Sequence, residues 1–228
     1  MEKKFLVVFM ISLALLLVSP AGGGVDMALQ KKEEHHDRSG QDRYFFFDMQ
    51  KVTLGDIEAD GFILDIGGGG EGVIGQLRGK QVIAIDISKR ELEEAPPGPL
   101  KIVMDGRDLK FLDHSFNTAT VFFTFMYIDP SDHPKVFKEL HRVLSSGGRL
   151  LIWDVVFPKR TDPKKDRAAF PMLIKLPAKE IQTGYGVRWP KTGQGVAHYL
   201  QLAKATGFSV VAQKEDGNHF FLELKKSL

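Results

Sequence analysis

Apolar runs alternate with helical patterns along most of the chain after Gly61. The run Ile63–Ile66 is apolar except for one acid, which is typical of a buried parallel strand. Further predicted strands lie at 81–86, 101–105, 118–125 and 149–156. Apolar positions with helical spacing predict helices at 72–77, 88–94, 134–144 and 195–206. This alternation predicts an α/β fold with a doubly wound, mainly parallel sheet and helices on both faces.

The C-terminal part of the pattern predicts an antiparallel hairpin. Two apolar runs, Phe208–Gln213 and His219–Leu224, flank the turn Glu215–Asn218. With this hairpin the predicted sheet has seven strands. The segments 44–60 and 157–195 are rich in apolar and aromatic residues, and the pattern assigns no regular element to them.

The N-terminal residues are set apart from the fold. Glu2-Lys3-Lys4 precedes the apolar run 5–18, and small residues follow, as in a signal peptide or a membrane anchor. Translation from Met27 is the alternative. A leader predicts export or membrane association through residues 5–18, whereas a start at Met27 predicts a cytoplasmic protein. The predicted leader, polar linker and folded domain are 1–21, 22–43 and 44–228.

Composition excludes several classes of function. The formal net charge is +2, and basic residues are interspersed with acids, so no basic field predicts a nucleic-acid partner. The chain has no cysteine. This excludes disulfides, thiolate nucleophiles and cysteine-ligated zinc, and we predict no metal site.

Carboxylates end three successive predicted strands, at Asp65, Asp86 and Asp105. In an open α/β sheet, ligands bind outside the carboxyl ends of the strands. We therefore expect the three acids to converge on one pocket. The glycine cluster 67–72 follows the first strand, and consecutive glycines let the backbone turn sharply and approach a ligand.

Two classes of cofactor fit this pattern. Gly67, Gly69 and Gly72 satisfy the dinucleotide motif G-x-G-x-x-G, and Asp86 follows about 20 positions later. The competing class is S-adenosylmethionine, whose ammonium group a carboxylate before the glycines can hold. Because a carboxylate at Asp65 would repel a pyrophosphate, it favours the cationic cofactor.

Three longer motifs resemble the class I S-adenosylmethionine-dependent methyltransferases of type 11. Leu64–Gly69 resembles their motif I. Asp105–Asn117 is similar to their pattern D-A-x-x-L-P-F-x-D-x-S-F-D, and Leu140–Ile152 resembles E-x-x-R-V-L-K-P-G-G-x-L-L-I. The matches occur in the family's order and cover about residues 60–156. Glu71 departs from the pattern, because the family usually has glycine there. The resemblance implies a Rossmann-like fold.

The resemblance also implies a binding site for S-adenosyl-L-methionine. Gly67 and Gly69 would admit the methionine part of the cofactor, and Asp65 would orient its amino group. Asp86 would bind both ribose hydroxyls in a charge-assisted pairing.

Four further positions complete the cofactor site that the resemblance implies. Asp105 and the Gly106 amide would recognise the edge of the adenine ring. Ile87 would flank this ring, and Thr124 would contact the methionine end.

The implied reaction is methyl transfer to a small-molecule acceptor by in-line displacement, for which alignment supplies much of the catalysis. Segments 44–60 and 157–195 lie outside the matched motifs and would select the acceptor; the alternative is that their aromatic residues only cover a sheet edge. A hydroxyl or carbon acceptor needs a base, and the candidates are Tyr127 and Asp154. The alternative functions are an NAD(P)-dependent oxidoreductase and a non-catalytic Rossmann-like binding protein.

Overall fold

The computed structural model describes residues 42–191 and 194–227, and within them eleven strands form two sheets. The main sheet contains β3 (Ile63–Ile66), β4 (Val82–Asp86), β5 (Leu100–Val103), β6 (Phe116–Phe122), β7 (Leu144–Val155), β10 (Phe208–Asp216) and β11 (His219–Lys226). The second sheet contains β1 (Tyr44–Phe46), β2 (Gln50–Thr53), β8 (Arg167–Leu176) and β9 (Lys179–Arg188). The helices are α1 (Val73–Arg78), α2 (Lys89–Glu94), α3 (His133–Val143) and α4 (Val196–Thr206), and two single 3-10 turns span Gly79–Gln81 and Phe125–Tyr127.

The main sheet has the strand order β10-β11-β7-β6-β3-β4-β5. Strands β3 to β7 are parallel, whereas β10 and β11 form an antiparallel hairpin beside β7. The predicted α/β, mainly parallel fold class is confirmed. The strand order changes direction at β3, which pairs with β4 on one side and with β6 on the other. Such a switch point leaves a crevice at the carboxyl ends of the strands.

Two apolar layers cover the faces of the main sheet. On one face, α3 and α4 pack through buried side chains such as Phe137 and Tyr199. On the other face, α1 and α2 share a core with the second sheet, which contributes Phe170, Met172 and Tyr185. The two longer helices, α3 and α4, each bury one apolar stripe against the sheet, as an amphipathic pattern requires, whereas α2 buries only Leu92.

The second sheet is formed by the two segments to which the sequence pattern assigns no element. Strands β8 and β9 form an antiparallel hairpin. Strands β1 and β2 pair in parallel with successive parts of β8, which lies far along the chain from both. Register of this kind depends on non-local pairing, so it leaves little trace in a local sequence window.

Strand β7 begins earlier than predicted. It starts at Leu144 and includes Gly147 and Gly148, where the φ of Gly147 is 74°. The sequence pattern had placed both glycines between the helix and the strand. The predicted leader 1–21 lies outside the described residues, as do all but the last two residues of the linker 22–43. In the described ranges, the helices are too short or too polar to cross a membrane.

Candidate functional site

A pocket of about 200 Å³ lies at the carboxyl ends of β3, β4, β5 and β6, at the switch point of the sheet. Most of the predicted site residues line this single pocket, namely Gly67, Asp86, Ile87, Asp105, Gly106, Thr124 and Tyr127. Gly69, Asp65 and Asp154 do not line it. The parallel sheet therefore brings together residues that are separated by up to sixty positions in the chain.

The glycine loop after β3 has no room for a side chain at Gly67 or Gly69. Gly67 adopts a φ of 74°, and a Cβ there would lie 2.9 Å from the Cβ of Thr124. A Cβ on Gly69 would lie 2.9 Å from Oδ2 of Asp86. Only glycine lets the loop pass this close to the end of β4 and to Thr124.

The amide groups of this loop are largely engaged within the protein. The N–H groups of Gly67 and Gly68 donate to the Ile85 carbonyl at 2.7 and 3.0 Å, and Gly70 donates to the Glu91 carbonyl at 2.8 Å. Phosphate-binding loops instead direct several free amides at the anion. This loop is therefore shaped for close approach of a ligand and not for binding a pyrophosphate.

Asp86 lies at the end of β4, where the chain enters α2. One carboxylate oxygen, Oδ1, accepts from the Ser88 amide at 2.8 Å, and the Ser88 hydroxyl accepts from the Glu91 amide as the N-cap of α2. These bonds fix the orientation of Asp86, and Oδ2 lies on the side of the glycine loop. Ile87 follows with 54% of its surface exposed, which is unusual for an isoleucine beside a pocket.

Asp105 lies after β5 and is held by Arg107, a residue that the sequence did not single out. The Arg107 guanidinium contacts Asp105 at 2.6 Å and Asp132 at 2.7 Å, and thus ties the end of β5 to the start of α3. The contact with Arg107 lowers the pKa of the Asp105 carboxyl, and the hydrogen bonds from Lys135 and then Arg107 lower the pKa of the Asp132 carboxyl. The position of Arg107 two residues after a predicted strand-end acid is the signal that could have identified it.

Asp65 lies beneath the glycine loop and is 2% exposed. Its Oδ1 accepts from the Thr120 hydroxyl at 2.7 Å, and its Oδ2 lies 2.6 Å from where a Cβ of Gly68 would be. Burial raises the pKa of Asp65 to about 7, opposed by the bond from Thr120 and assisted by the charge of Asp86. Asp65 therefore does not line the pocket with Asp86 and Asp105, with which the sequence predicted it to converge.

Asp154 is fully buried at the end of β7 and contacts backbone groups. It accepts from the Met126 amide at 3.2 Å and from the Val155 amide at 2.8 Å, so it binds the amide side of the turn Phe125–Tyr127. Burial raises its pKa to about 7. The structure therefore places Asp154 behind the turn that lines the pocket and not at the pocket surface.

The same turn also contacts His133 at the start of α3. Its Nε2 lies 3.2 Å from the Phe125 carbonyl and 3.1 Å from the Ile128 carbonyl, so this nitrogen carries the proton. The other nitrogen, Nδ1, therefore accepts from Nε2 of His198 at 2.9 Å. Burial lowers the pKa of His133 to about 4, which keeps the ring neutral.

Tyr127 separates the pocket from the second sheet. Burial, together with the charges of Glu71 and Asp154, raises the pKa of its phenol above the ordinary value. Glu71, the irregular residue of the glycine loop, accepts from the Thr183 hydroxyl on β9 and also contacts Tyr185. Glu71 thus connects the loop to the second sheet, a contact that motif comparison could not show.

The lining of the pocket is acidic and suits a cofactor with a positive charge. Four carboxylates line it, namely Asp86, Asp105, Asp129 and Asp132. Arg107 is already bound to two of them, Asp105 and Asp132. A pyrophosphate would meet these charges without a free cation to balance them. A sulfonium and ammonium cofactor with ribose hydroxyls matches the same groups.

Residues 64–152 match the sequence model of the type-11 family, described as a methyltransferase domain. Residues 64–152 therefore form a class I S-adenosylmethionine-dependent methyltransferase domain. The matched residues contain β3 to β6, most of β7 and every residue that lines the pocket. S-adenosyl-L-methionine is the cofactor of this methyltransferase family.

Known proteins resemble this chain in sequence or in fold. It is 28% identical to phosphoethanolamine N-methyltransferase 1 of Zea mays over 73% of the chain, and spans about a third of that enzyme's length. A methyltransferase structure from Methanosarcina mazei has a TM-score of 0.54 at 19% identity, covering 75% of this chain and 95% of the other. Phosphoethanolamine N-methyltransferase 2 of Haemonchus contortus, in complex with S-adenosyl-L-methionine, has a TM-score of 0.54 at 16% identity, with coverages of 76% and 50%.

Proposed function

We propose that this methyltransferase transfers a methyl group from S-adenosyl-L-methionine to a small-molecule acceptor. The observation that carries the proposal is the convergence of Gly67, Asp86 and Thr124 on one acidic pocket at the switch point of the sheet. The engaged amides of the glycine loop argue against the alternative dinucleotide. When bound, the cofactor supplies a methyl group on a sulfonium, which an acceptor can displace in line.

In this proposal the residues after β4 and β5 hold the nucleoside part of the cofactor. Asp86 binds the two ribose hydroxyls, since its carboxylate is oriented by the Ser88 amide. Ile87 covers one face of the adenine with its exposed side chain. The Gly106 amide recognises the edge of the ring, while Asp105 is held in place by Arg107.

The residues around the glycine loop hold the methionine part. Gly67 and Gly69 provide space, and Thr124 borders the reacting end because it packs against Gly67. Asp65 acts on the ammonium group through its charge from beneath the loop. Its pKa of about 7 means that this attraction strengthens as the pH rises through neutrality.

Catalysis in this proposal depends on positioning. Tyr127 contacts the acceptor as a neutral phenol, because its pKa is raised well above the working pH. Asp154 fixes the turn that carries Tyr127 through the Met126 amide. Neither group then needs to remove a proton, which suits an acceptor whose nucleophile is already neutral, such as an amine with a free electron pair.

The acceptor side consists of Tyr127 and the adjacent second sheet. Strand β9 contacts the glycine loop through Thr183 and Glu71, so the sheet lies directly beside the methionine end. The segments 44–60 and 157–195 that form this sheet would select the acceptor. Because the maize relative is named for phosphoethanolamine, phosphorylated amines are the first acceptors to test.

Formation of S-adenosylhomocysteine by the purified full-length chain tests this proposal. The acceptor panel should contain phosphoethanolamine, ethanolamine, a phenol, a thiol and a carboxylic acid. We expect at least one acceptor to give product, with loss of product in Asp86→Ala and retention in Asp108→Ala, an exposed acid outside the pocket. Cofactor binding without transfer to any acceptor would favour a non-catalytic binding protein.

A further inference from the structure

A second cavity, of about 630 Å³, lies on the face of the main sheet and away from the cofactor pocket. Its floor is the β7 and β11 surface around Trp153 and Phe221, whose rings are 4.8 Å apart. Its opposite wall is the segment 51–58, which runs from β2. The two cavities share no lining residue. A volume in this range is typical of small-molecule sites.

A buried polar network forms one end of this cavity. Gln50 is buried and its Oε1 accepts from the Asn218 amide at 2.8 Å and from Nδ1 of His219 at 3.2 Å. Gly217, with a φ of 58°, lets the hairpin turn approach, since a Cβ there would lie 2.9 Å from this oxygen. Gln50 therefore determines both the turn and the orientation of His219.

His219 offers an unused hydrogen-bond acceptor at the cavity. The residue is 8% exposed and lines the cavity. Its Nδ1 carries the proton that Gln50 accepts, so Nε2 of the neutral ring holds a free electron pair. Among residues 42–191 and 194–227, no group donates to Nε2. An unpaired acceptor nitrogen at the wall of a cavity suits a ligand that donates a hydrogen bond.

Charges of both signs surround this acceptor. Asp216 pairs with His219 across the hairpin, and Lys214 pairs with Phe221, so the two charged residues share the face of β10 that borders the cavity. Lys51 lines the opposite wall. In the part of the chain that the structure describes, none of these three residues forms an ion pair. A lining of mixed sign is complementary to a ligand that carries both charges.

We propose that this cavity is a second binding site, which takes a small zwitterion with an ammonium group and an anionic group. The ammonium group donates to Nε2 of His219 and lies near Asp216. The anionic group, a carboxylate or a phosphonate, is bound by Lys214 and Lys51. The proposal is independent of the methyl-transfer reaction, because Phe122 and Phe123 separate the cavity from Thr124 and the cofactor pocket.

Trp153 provides a direct reporter of binding. The chain has two tryptophans, and the other, Trp189, packs against Phe45 and Phe47 outside the cavity. In a Trp189→Phe background, the fluorescence of Trp153 should change saturably with 4-aminobutyrate or 3-aminopropylphosphonate. These two probes distinguish the carboxylate from the phosphonate. Butylamine and butyrate, each with one charge, should bind about tenfold more weakly.

Three substitutions locate the ligand in the cavity. Lys214→Gln and Asp216→Asn should each raise the dissociation constant about tenfold, since each removes one charged partner. His219→Phe should do the same by removing the acceptor nitrogen. Lys159→Gln changes an exposed lysine outside the cavity and should leave binding within twofold.

Failure of both zwitterions to bind, or equal binding of the half-molecules, would overturn the proposal. Binding that is insensitive to Lys214→Gln and Asp216→Asn would do the same. Should the Trp189→Phe chain not fold, saturation-transfer NMR of the same probes with the unaltered chain gives the same decision. None of these measurements requires S-adenosylmethionine, so they remain decisive if the chain proves to have no methyltransferase activity.

Discussion

The carboxyl edge of the main sheet and the second sheet beside it are built in contrasting ways. At the carboxyl edge, each strand is followed within a few residues by the group that lines the pocket, as in Asp86 after β4 and Asp105 after β5. The second sheet joins β1 and β2 to β8 from far along the chain. The first region is determined by local motifs and the second by long-range pairing. We therefore expect substitutions in the first to change cofactor binding and substitutions in the second to change mainly stability and acceptor selection.

The largest effect is expected for Asp86→Ala at the carboxyl edge. Loss of a carboxylate that binds two hydroxyls should weaken the binding of S-adenosylhomocysteine about a hundredfold to a thousandfold. Isothermal titration measures this directly. The matched control is Asp108→Ala, whose acid is exposed and bound only to Lys110, and whose affinity should stay within twofold. Equal losses in the two variants would contradict the assignment of the ribose site.

The next largest effect is expected for a glycine substitution at the carboxyl edge, compared with a glycine substitution beside the second sheet. Gly67→Ala forces a side chain into a φ of 74° and against Thr124, so it should destabilise the fold by about 3 kcal/mol and abolish most cofactor binding. Gly55→Ala, beside β2, places its Cβ where no atom lies within 4 Å and should be nearly neutral. Thermal unfolding and titration of both variants test the contrast. Similar behaviour of the two would show that the glycine loop is not under steric constraint.

Substitutions of Asp154 distinguish a positioning role of this residue from a role as a general base. Asp154→Ala leaves the amides of Met126 and Val155 without their acceptor and should destabilise the fold by about 2 kcal/mol. Asp154→Asn retains one acceptor oxygen, so methyl transfer by this variant should remain within about threefold. A base would behave otherwise, with Asp154→Asn nearly inactive at unchanged stability. Unfolding curves and initial rates for both variants decide between the two roles.

Stability should depend on pH through the same buried acids. The pKa of Asp65 and the pKa of Asp154 are raised from 3.8 to about 7 by burial. Their contribution to stability is therefore complete below about pH 4 and is lost as the pH rises through 7. Asp65→Asn should remove part of this loss, by about 2 kcal/mol between pH 5 and pH 8. Denaturant unfolding at the two pH values measures it; an unchanged slope would show that Asp65 is not a buried acid of raised pKa.

The smallest effect concerns the contact between the two regions. Glu71→Ala and Thr183→Val both remove the bond between the glycine loop and β9. Each should cost about 1 kcal/mol or less, and the double variant should show a coupling of about 0.5 kcal/mol. Cofactor affinity should change less than threefold. Additive effects of the two substitutions would show that the contact contributes nothing, and would separate the two regions energetically.

The carboxyl edge was largely predictable because its information is local. The end of β3, the acids after β4 and β5, and the Ser88 cap of α2 all lie in short contiguous segments. The place of Asp65 was not predictable, since its burial depends on Thr120 from the neighbouring strand. Asp154 likewise lies near the carboxyl end of a strand, as an active-site acid would, but the turn Phe125–Tyr127 covers it.

The second sheet and the second cavity were not predictable, for a related reason. The bond from His219 to Gln50 joins residues at opposite ends of the folded domain, and no local pattern marks either residue. Pairing of β1 with β8 depends in the same way on the side chains of both strands. Glu71 was visible only as a departure from a motif, and its partner Thr183 became evident in three dimensions.

The proposed function depends on the binding of S-adenosylmethionine in the acidic pocket at the switch point. Titration of the full-length chain with S-adenosylhomocysteine and, separately, with NAD⁺ tests it most directly. We predict saturable binding of S-adenosylhomocysteine and none of NAD⁺, because four carboxylates line the pocket and its Arg107 is already bound to two of them. Binding of NAD⁺ alone, or of neither compound, would contradict the account.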